Sequence, residues 1–461
     1  MRLEYDSLGP VEVPESVLYG AQTRRAELNF GISGWRLPRP FLDALARIKR
    51  SAAQVNREMG RLDPVLAQLI MQAAGEVLDG QHAEDFPLDV FQTGSATSTN
   101  MNMNEVIANR AIQLAGGVPG SKKPVHPNDH VNLGQSSNDL APTAAHLAAA
   151  SEIHHNLLPA LTELQAALSV KAQLFLPVVK IGRTHLQDAV PIRLGQVFSG
   201  YADQVHQAKE RITIASGRLL PLALGGTAVG TGLNAAPGFA ARVIAILAEE
   251  TGLAFREAEN HFSAQAAMDE YVALAGCLKS VALVMVKIAN DIRFLASGPR
   301  CGLGELRLPS LQPGSSIMPG KVNPVLCEAL IQAASFVVAG EAGVTFAASS
   351  LANFELAVAW PYSTWQVLEM LRILASAIRQ FTSRLVEGLE AEKEHCQSIC
   401  EASLALCTGL VPEIGYDQAA LIAKKAAESG RTIKEVAAEE TGWPEDKLAG
   451  LIDPLAMTGV S

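Results

Sequence analysis

Residues 263–297 run for 35 positions without a proline and with one glycine, Gly276. As a helix, at 1.5 Å per residue, the stretch would span roughly 50 Å. Val272, Ala275, Leu278, Ala282, Met285, Ile288, Ile292 and Leu295 recur at three- and four-residue spacing, and small or apolar residues fill much of the opposite face. A helix apolar nearly all round is buried in a bundle. Comparable helices are predicted over 139–168, 194–219, 325–346 and 362–389, bounded or punctuated by Pro142, Pro177, Pro221 and Pro361. With 48% hydrophobic residues the chain supports a large interior, and five helices of this length present surfaces that need partner subunits to bury them. No internal repeat, low-complexity tract or sustained strand alternation is visible, so the fold class is mainly α. A chain of 461 residues suggests two to four domains. Residues 1–135 carry short helices, Pro/Gly breaks and two Asn-rich passages. Residues 136–390 carry the long helices, and in 391–461 Gly415, Gly430 and Gly442 separate shorter ones.

A net charge of -10, from 37 basic and 47 acidic residues and with no basic run, argues against nucleic acid or an anionic membrane surface as partner. It leaves room for a small anionic substrate, because a local site can be positive in a negative protein. The N-terminal residues Met1 to Asp6 show no apolar core of a secretory signal. Lys279 and Lys287 interrupt the most apolar stretch, which weighs against a membrane span. The six cysteines show no CxxC and no completed metal-ligand set, which reads as reduced thiols in a cytoplasmic protein without a metal.

Four polar clusters carry the chemistry. Thr93-Gly94-Ser95-Ala96-Thr97-Ser98-Thr99-Asn100 supplies neutral donors suited to a carboxylate, and also suits the N-cap of a helix opening at about Asn102 with Glu105 in its first turn. His126-Pro127-Asn128-Asp129 precedes Gln135-Ser136-Ser137-Asn138-Asp139, whose residues would cap the helix that follows and leave its N-terminus facing an anion. In Gly182-Arg183-Thr184-His185-Leu186-Gln187-Asp188, His185 is either a proton-transfer group near neutral pH or an ordinary structural histidine. The fourth, Gly314-Ser315-Ser316-Ile317-Met318-Pro319-Gly320-Lys321-Val322-Asn323-Pro324, is a shaped, movable loop with Glu328 one helical turn beyond. Exposed amides near Gly314 would form an anion-binding nest, and a serine held there beside a lysine can be stabilised as an alkoxide base. The same composition also suits a plain connection ending on a surface lysine.

The four clusters, in this order and spacing, resemble the class II fumarase and aspartase superfamily, and the 314–324 loop matches its hallmark in full. The resemblance extends from Val11-Glu12-Val13-Pro14 and Tyr19-Gly20-Ala21-Gln22-Thr23 to Ile414-Gly415-Tyr416-Asp417. It implies a three-domain fumarase/aspartase-like fold whose central long-helix bundle assembles into a 20-helix core. The assembly implied is a homotetramer, with each active site shared between three subunits. It also implies cofactor-free addition and elimination on a small dicarboxylate. Carried over by motif, Ser315 would be the base, and Lys321 and Asn323 would hold the resulting aci-carboxylate. Ser95, Thr97, Ser136, Ser137 and Asn138 would bind carboxylates. Thr184 and His185, the latter backed by Glu328, would handle the leaving group, and His126, Asn128 and Asp129 would form a secondary anion site.

Within the superfamily, Ser136-Ser137-Asn138-Asp139, Arg183-Thr184-His185-Leu186-Gln187-Asp188 and Cys327-Glu328-Ala329-Leu330 resemble fumarase, whereas Ala189-Val190-Pro191-Ile192-Arg193, Ile32-Ser33-Gly34-Trp35 and Asp453-Pro454-Leu455-Ala456-Met457-Thr458 lean towards aspartase. The site motifs place fumarate hydration first and aspartate deamination second. A structural role on the lyase fold, as in some lens crystallins, comes third because it needs none of Ser315, Lys321, Asn323, His185 and Glu328. Ala357, Trp360, Leu133-Gly134 and Lys123 depart from the superfamily's usual residues.

Overall fold

The computed structural model describes residues 1–459. It is mostly helical, and its strands form two-stranded sheets among the described residues. The chain folds into two compact units. One comprises residues 1–159, 210–282 and 335–375, and the other the remaining described residues.

The predicted long helices are present. Ser137–Glu152 continues through a π-helical turn at Ile153–Leu157 into Leu158–Leu174, and Leu194–Arg218 and Val325–Ser350 begin where expected. Trp360–Phe381 ends in a second π-helical turn, Thr382–Val386. The 263–297 stretch is corrected. It holds two helices, His261–Ala266, capped by the Asn260 side chain, and Asp269–Leu295, with Ala267 extended between them. The carbonyl of Met268 accepts the first amides of the second helix, from Tyr271 and Val272. Asp269 and Glu270 then favour the positive end of that helix.

In the first unit, the helix expected at about Asn102 begins at Thr97, behind Ala96 in the left-handed conformation. Glu105 is therefore no first-turn acid. It reaches across to accept hydrogen bonds from the amides of Gly20, Gln22 and Thr23 and from the Thr23 hydroxyl, which satisfies the start of helix Ala21–Asn29. Asn102 and Asn109, on the same helix, donate to the carbonyls of Asp85 and Leu18.

In the second unit, Val179–Thr184 pairs antiparallel with Gln187–Arg193 in a hairpin that the sequence did not suggest. Leu406, Leu410, Ile422, Ala426, Ile433, Val436 and Leu448 form a separate small core near the C-terminus. Gly415 breaks the Val411–Ser429 helix, and Gly430 and Gly442 terminate helices in the left-handed conformation, as the separators read from the sequence require. Large apolar side chains remain exposed on the long helices: Ile214 and Phe346 in the first unit, Leu283 and Phe294 in the second.

Candidate active site

The 314–324 loop is closed by its own groups. The Gly314 amide donates to the Lys321 carbonyl at 2.8 Å, and the Asn323 side-chain amide donates to the Gly314 carbonyl at 2.7 Å. A Cβ at Gly314 would lie 2.6 Å from the Lys321 oxygen, so only glycine allows this closure. Within it, Ser315 Oγ accepts hydrogen bonds from the amides of Ile317 (3.2 Å) and Met318 (2.9 Å). Local serine–backbone bonds of this kind are common in turns, but here they aim two N–H dipoles at one oxygen and favour negative charge on it. Asn323 spends one side-chain N–H on closing the loop, and its amide carries a second. Lys321 is exposed, and Glu328 is exposed in the first turn of Val325–Ser350.

Thr184 and His185 are exposed at the tip of the 179–193 hairpin. His185 (φ 56°) and Leu186 (φ 62°) both occupy the left-handed region. That is the signature of a primed turn, in which glycine or asparagine is the usual occupant. The hairpin thus holds His185 in a backbone conformation it does not favour. No hydrogen bond or ion pair joins His185 to Glu328 within one chain among the described residues.

In the first unit two helices begin with neighbouring hydroxyls. Thr97 opens Thr97–Leu114, Ser137 opens Ser137–Glu152, and their Oγ atoms lie 2.7 Å apart, with Ser95 Oγ 2.8 Å from Thr97. Two helix N-termini converging on one hydroxyl cluster favour an anion. Ser136 is the N-cap and forms a capping box with Asp139, and the Asn138 side chain donates to the Ala228 carbonyl at 2.8 Å. These two side chains therefore also shape the site's backbone. His126 Nδ1 accepts from the amides of Asn128 and Asp129, both at 3.2 Å. A nitrogen accepting two amides carries no proton, and burial lowers the pKa of this imidazole, so the Asp129 carboxylate 3.4 Å away is a neighbour and not a salt-bridge partner.

Two buried charges beneath the hydroxyl cluster escaped the sequence reading. Asp139 is fully buried and accepts from the amides of Ser136, Gly225 and Thr227. Lys49, also fully buried, donates to Asn132 Oδ1 at 2.8 Å, and that oxygen further accepts from Asn100 and Asn104. Burial pushes the Asp139 carboxyl up from 3.8 to about 6, against its three amide bonds and Lys49, and pushes the Lys49 ammonium well down. A carboxyl that binds its proton more tightly when folded contributes most at low pH, and that contribution is lost as pH rises from about 4 through about 6. Asp139→Asn is therefore expected to gain in stability relative to the parent between pH 4.5 and 7, by about 2 kcal/mol. Denaturant unfolding of both proteins at the two pH values checks this. Their signal in the sequence was only the capping motif around Asp139, because Lys49 lies 83 residues from Asn132.

Of the departures from the superfamily pattern, Lys123 is exposed and Leu133 and Gly134 are half-buried. Ala357 and Trp360 are buried, and the Trp360 ring packs edge-on against Tyr271 (5.5 Å) and His146 (6.1 Å). Gly134 takes a left-handed conformation (φ 76°).

A lyase family profile matches residues 9–340, and the profile of the fumarase C C-terminus matches residues 406–459. The chain belongs to the class II fumarase family. It is 55% identical to a class II fumarate hydratase of Thermosynechococcus vestitus, covering 95% of this chain and 94% of that one. With mitochondrial fumarate hydratase of Rattus norvegicus it shares 54% identity over 99% of this chain and 90% of the other. The crystal structure of class II fumarase from Schistosoma mansoni superposes with a TM-score of 0.96 at 40% identity, covering 99% of each chain. The mainly α architecture expected from the sequence is therefore that of class II fumarases.

Proposed function

We propose that this class II fumarase family member catalyses the reversible hydration of fumarate to L-malate, by anti addition and elimination through an aci-carboxylate intermediate. The observation that carries the reading is full-length similarity above 50% to proteins named fumarate hydratase. The geometry of Ser315 supports the chemistry. In the dehydration direction an alkoxide at Ser315, stabilised by the Ile317 and Met318 amides, takes a proton from the carbon next to one carboxylate of malate. The electron pair moves into that carboxylate, and Lys321 and the second N–H of Asn323 hold the dianion, the logic of an oxyanion hole. Collapse forms the carbon–carbon double bond and expels hydroxide from the other face. Thr184 and His185, with Glu328 from a neighbouring subunit beside the imidazole, pass a proton to the hydroxide through a bound water. Ser95, Thr97, Ser136, Ser137 and Asn138 bind the carboxylates with neutral donors and helix N-termini, and His126, Asn128 and Asp129 form a secondary anion site.

This chemistry needs no cofactor, and the protein works as a cytoplasmic homotetramer with sites shared between three subunits. The exposed Ile214, Leu283, Phe294 and Phe346 support such an assembly. Light scattering at micromolar concentration is expected to give about 195 kDa, four times 48.8 kDa, and a monomer mass would contradict the assembly. Purified protein, followed by fumarate absorbance, is expected to convert L-malate with a kcat/KM at least tenfold above that for L-aspartate. Tenfold corresponds to about 1.4 kcal/mol of differential transition-state binding. A better rate with aspartate would overturn the reading.

A further inference from the structure

The hairpin that carries Thr184 and His185 is tied along its first strand to a carboxylate with no exposure at all. Glu305 is fully buried, with Lys180 Nζ 3.1 Å from one oxygen and Arg183 Nη1 2.7 Å from the other. Both cations belong to the hairpin's first strand, on either side of the register shift at Gly182, and Arg183 immediately precedes Thr184 and His185. Gly182 is itself constrained, since a Cβ there would lie 2.6 Å from the Val190 carbonyl oxygen.

The other end of Glu305 is equally fixed. Its amide donates to the Leu295 carbonyl at 2.8 Å, and its carbonyl accepts from the Glu392 amide at 3.0 Å. The residues that follow it, Leu306–Arg307, pair with Glu390–Ala391, and the chain then reaches Ser315 ten residues after Glu305. Two further bonds hold the hairpin's second strand. Ser403 Oγ donates to Asp188 Oδ2 at 3.2 Å, and Arg193 Nε donates to Thr458 Oγ1 at 3.0 Å. These are partly buried ties, with Ser403 and Thr458 buried. The Glu305 group is different, because two cations and one anion share a dry site where an unmatched charge is costly.

We propose that Glu305 is a positioning residue for proton transfer. By clamping Lys180 and Arg183 it fixes the orientation of the strained Thr184–Gln187 turn, and with it the direction in which the hairpin presents His185. The inference rests on the reading of His185 as the leaving-group acid. A misaligned acid slows the chemical step while the carboxylate contacts that bind substrate stay in place, so the signature is a loss in kcat with little change in KM.

The test uses the full-length assembled enzyme and three variants. Glu305→Gln keeps the side chain's shape but leaves two buried cations without an anion. The double variant Lys180→Met with Glu305→Gln returns the site to its native net charge of one cation in excess, but without the clamp. In Glu305→Gln, kcat for malate is expected to fall at least thirtyfold with KM within threefold of the parent. The double variant is expected to recover thermal stability and to remain at least tenfold slow. A kcat within threefold of the parent in either variant overturns the proposal, because charge balance alone, or nothing, would then be what Glu305 supplies. The third variant, His185→Asn, separates the layers. If it is slow while Glu305→Gln is fast, only the positioning role falls; if His185→Asn is as fast as the parent, the acid assignment falls and the positioning role with it.

Discussion

Ser315→Ala is expected to lower kcat for both fumarate and malate by at least 100-fold while leaving the assembly and its thermal midpoint within experimental scatter. The side chain sits on a loop, its oxygen bonds only to the amides of Ile317 and Met318, and its loss opens no cavity in the core. A positioned general base contributes roughly 10²–10⁴-fold, and the two donated amides make this oxygen the group in the loop best prepared to carry negative charge. KM is expected to change little, because the carboxylate-binding groups are elsewhere. Steady-state kinetics of the purified variant, with light scattering to confirm its mass, decides the matter. Retention of more than about a tenth of the parent's kcat would remove Ser315 from the role of base.

The second large effect is structural and lies at the neighbouring cluster. Gly94→Ala would place a Cβ 1.7 Å from the carbonyl oxygen of Val358 and 2.5 Å from its carbonyl carbon. Both neighbours are backbone, and the same contact carries the hydrogen bond from the Trp360 amide to the Gly94 carbonyl at 3.0 Å. Relief requires moving one of two chain segments, which breaks that bond and displaces Ser95 and Thr97. The cost is expected to reach about 4 kcal/mol or more, at the severe end for single substitutions. Loss of soluble protein, or a large drop in the thermal midpoint of what remains, is the expected result. Gly75→Ala is the control. Gly75 lies inside helix Pro64–Leu78 with nothing within 4 Å of its missing Cβ, so alanine there is expected to stabilise by about 0.5–1 kcal/mol. Equal behaviour of the two variants in a melting experiment would refute the packing argument.

The helices were legible because their signals are local. Proline and glycine mark their ends, and Ser136 with Asp139 forms the capping box that the sequence motif suggests. The break at Ala267 was not legible, since no proline or glycine marks it and the acids at 269 and 270 are a weak start signal on their own. The 179–193 hairpin was missed for a related reason. Its turn uses His185 and Leu186 where Asn-Gly would have announced it, and Pro191 sits in its second strand. The early start of the Thr97 helix was hidden because a left-handed Ala96 replaces a side-chain cap.

For the site, motif spacing brought forward Ser315, Lys321, Asn323, His185 and the Thr97–Ser137 hydroxyls. The carboxylates and ammonium groups that hold those motifs in place could not be found this way. Glu305 meets Lys180 and Arg183, and Lys49 meets Asn132, across gaps of many tens of residues. A buried charge of this kind looks in sequence like any other surface Lys or Glu.

A base on one side of the substrate and a water-handling pair on the other would add the elements of water to fumarate from opposite faces. Proton NMR of the product formed from fumarate in D2O tests this directly. The expected product is L-malate carrying one deuterium next to the carboxylate, as the single diastereomer that anti addition generates. A mixture of the two diastereomers, or no malate at all, would contradict it.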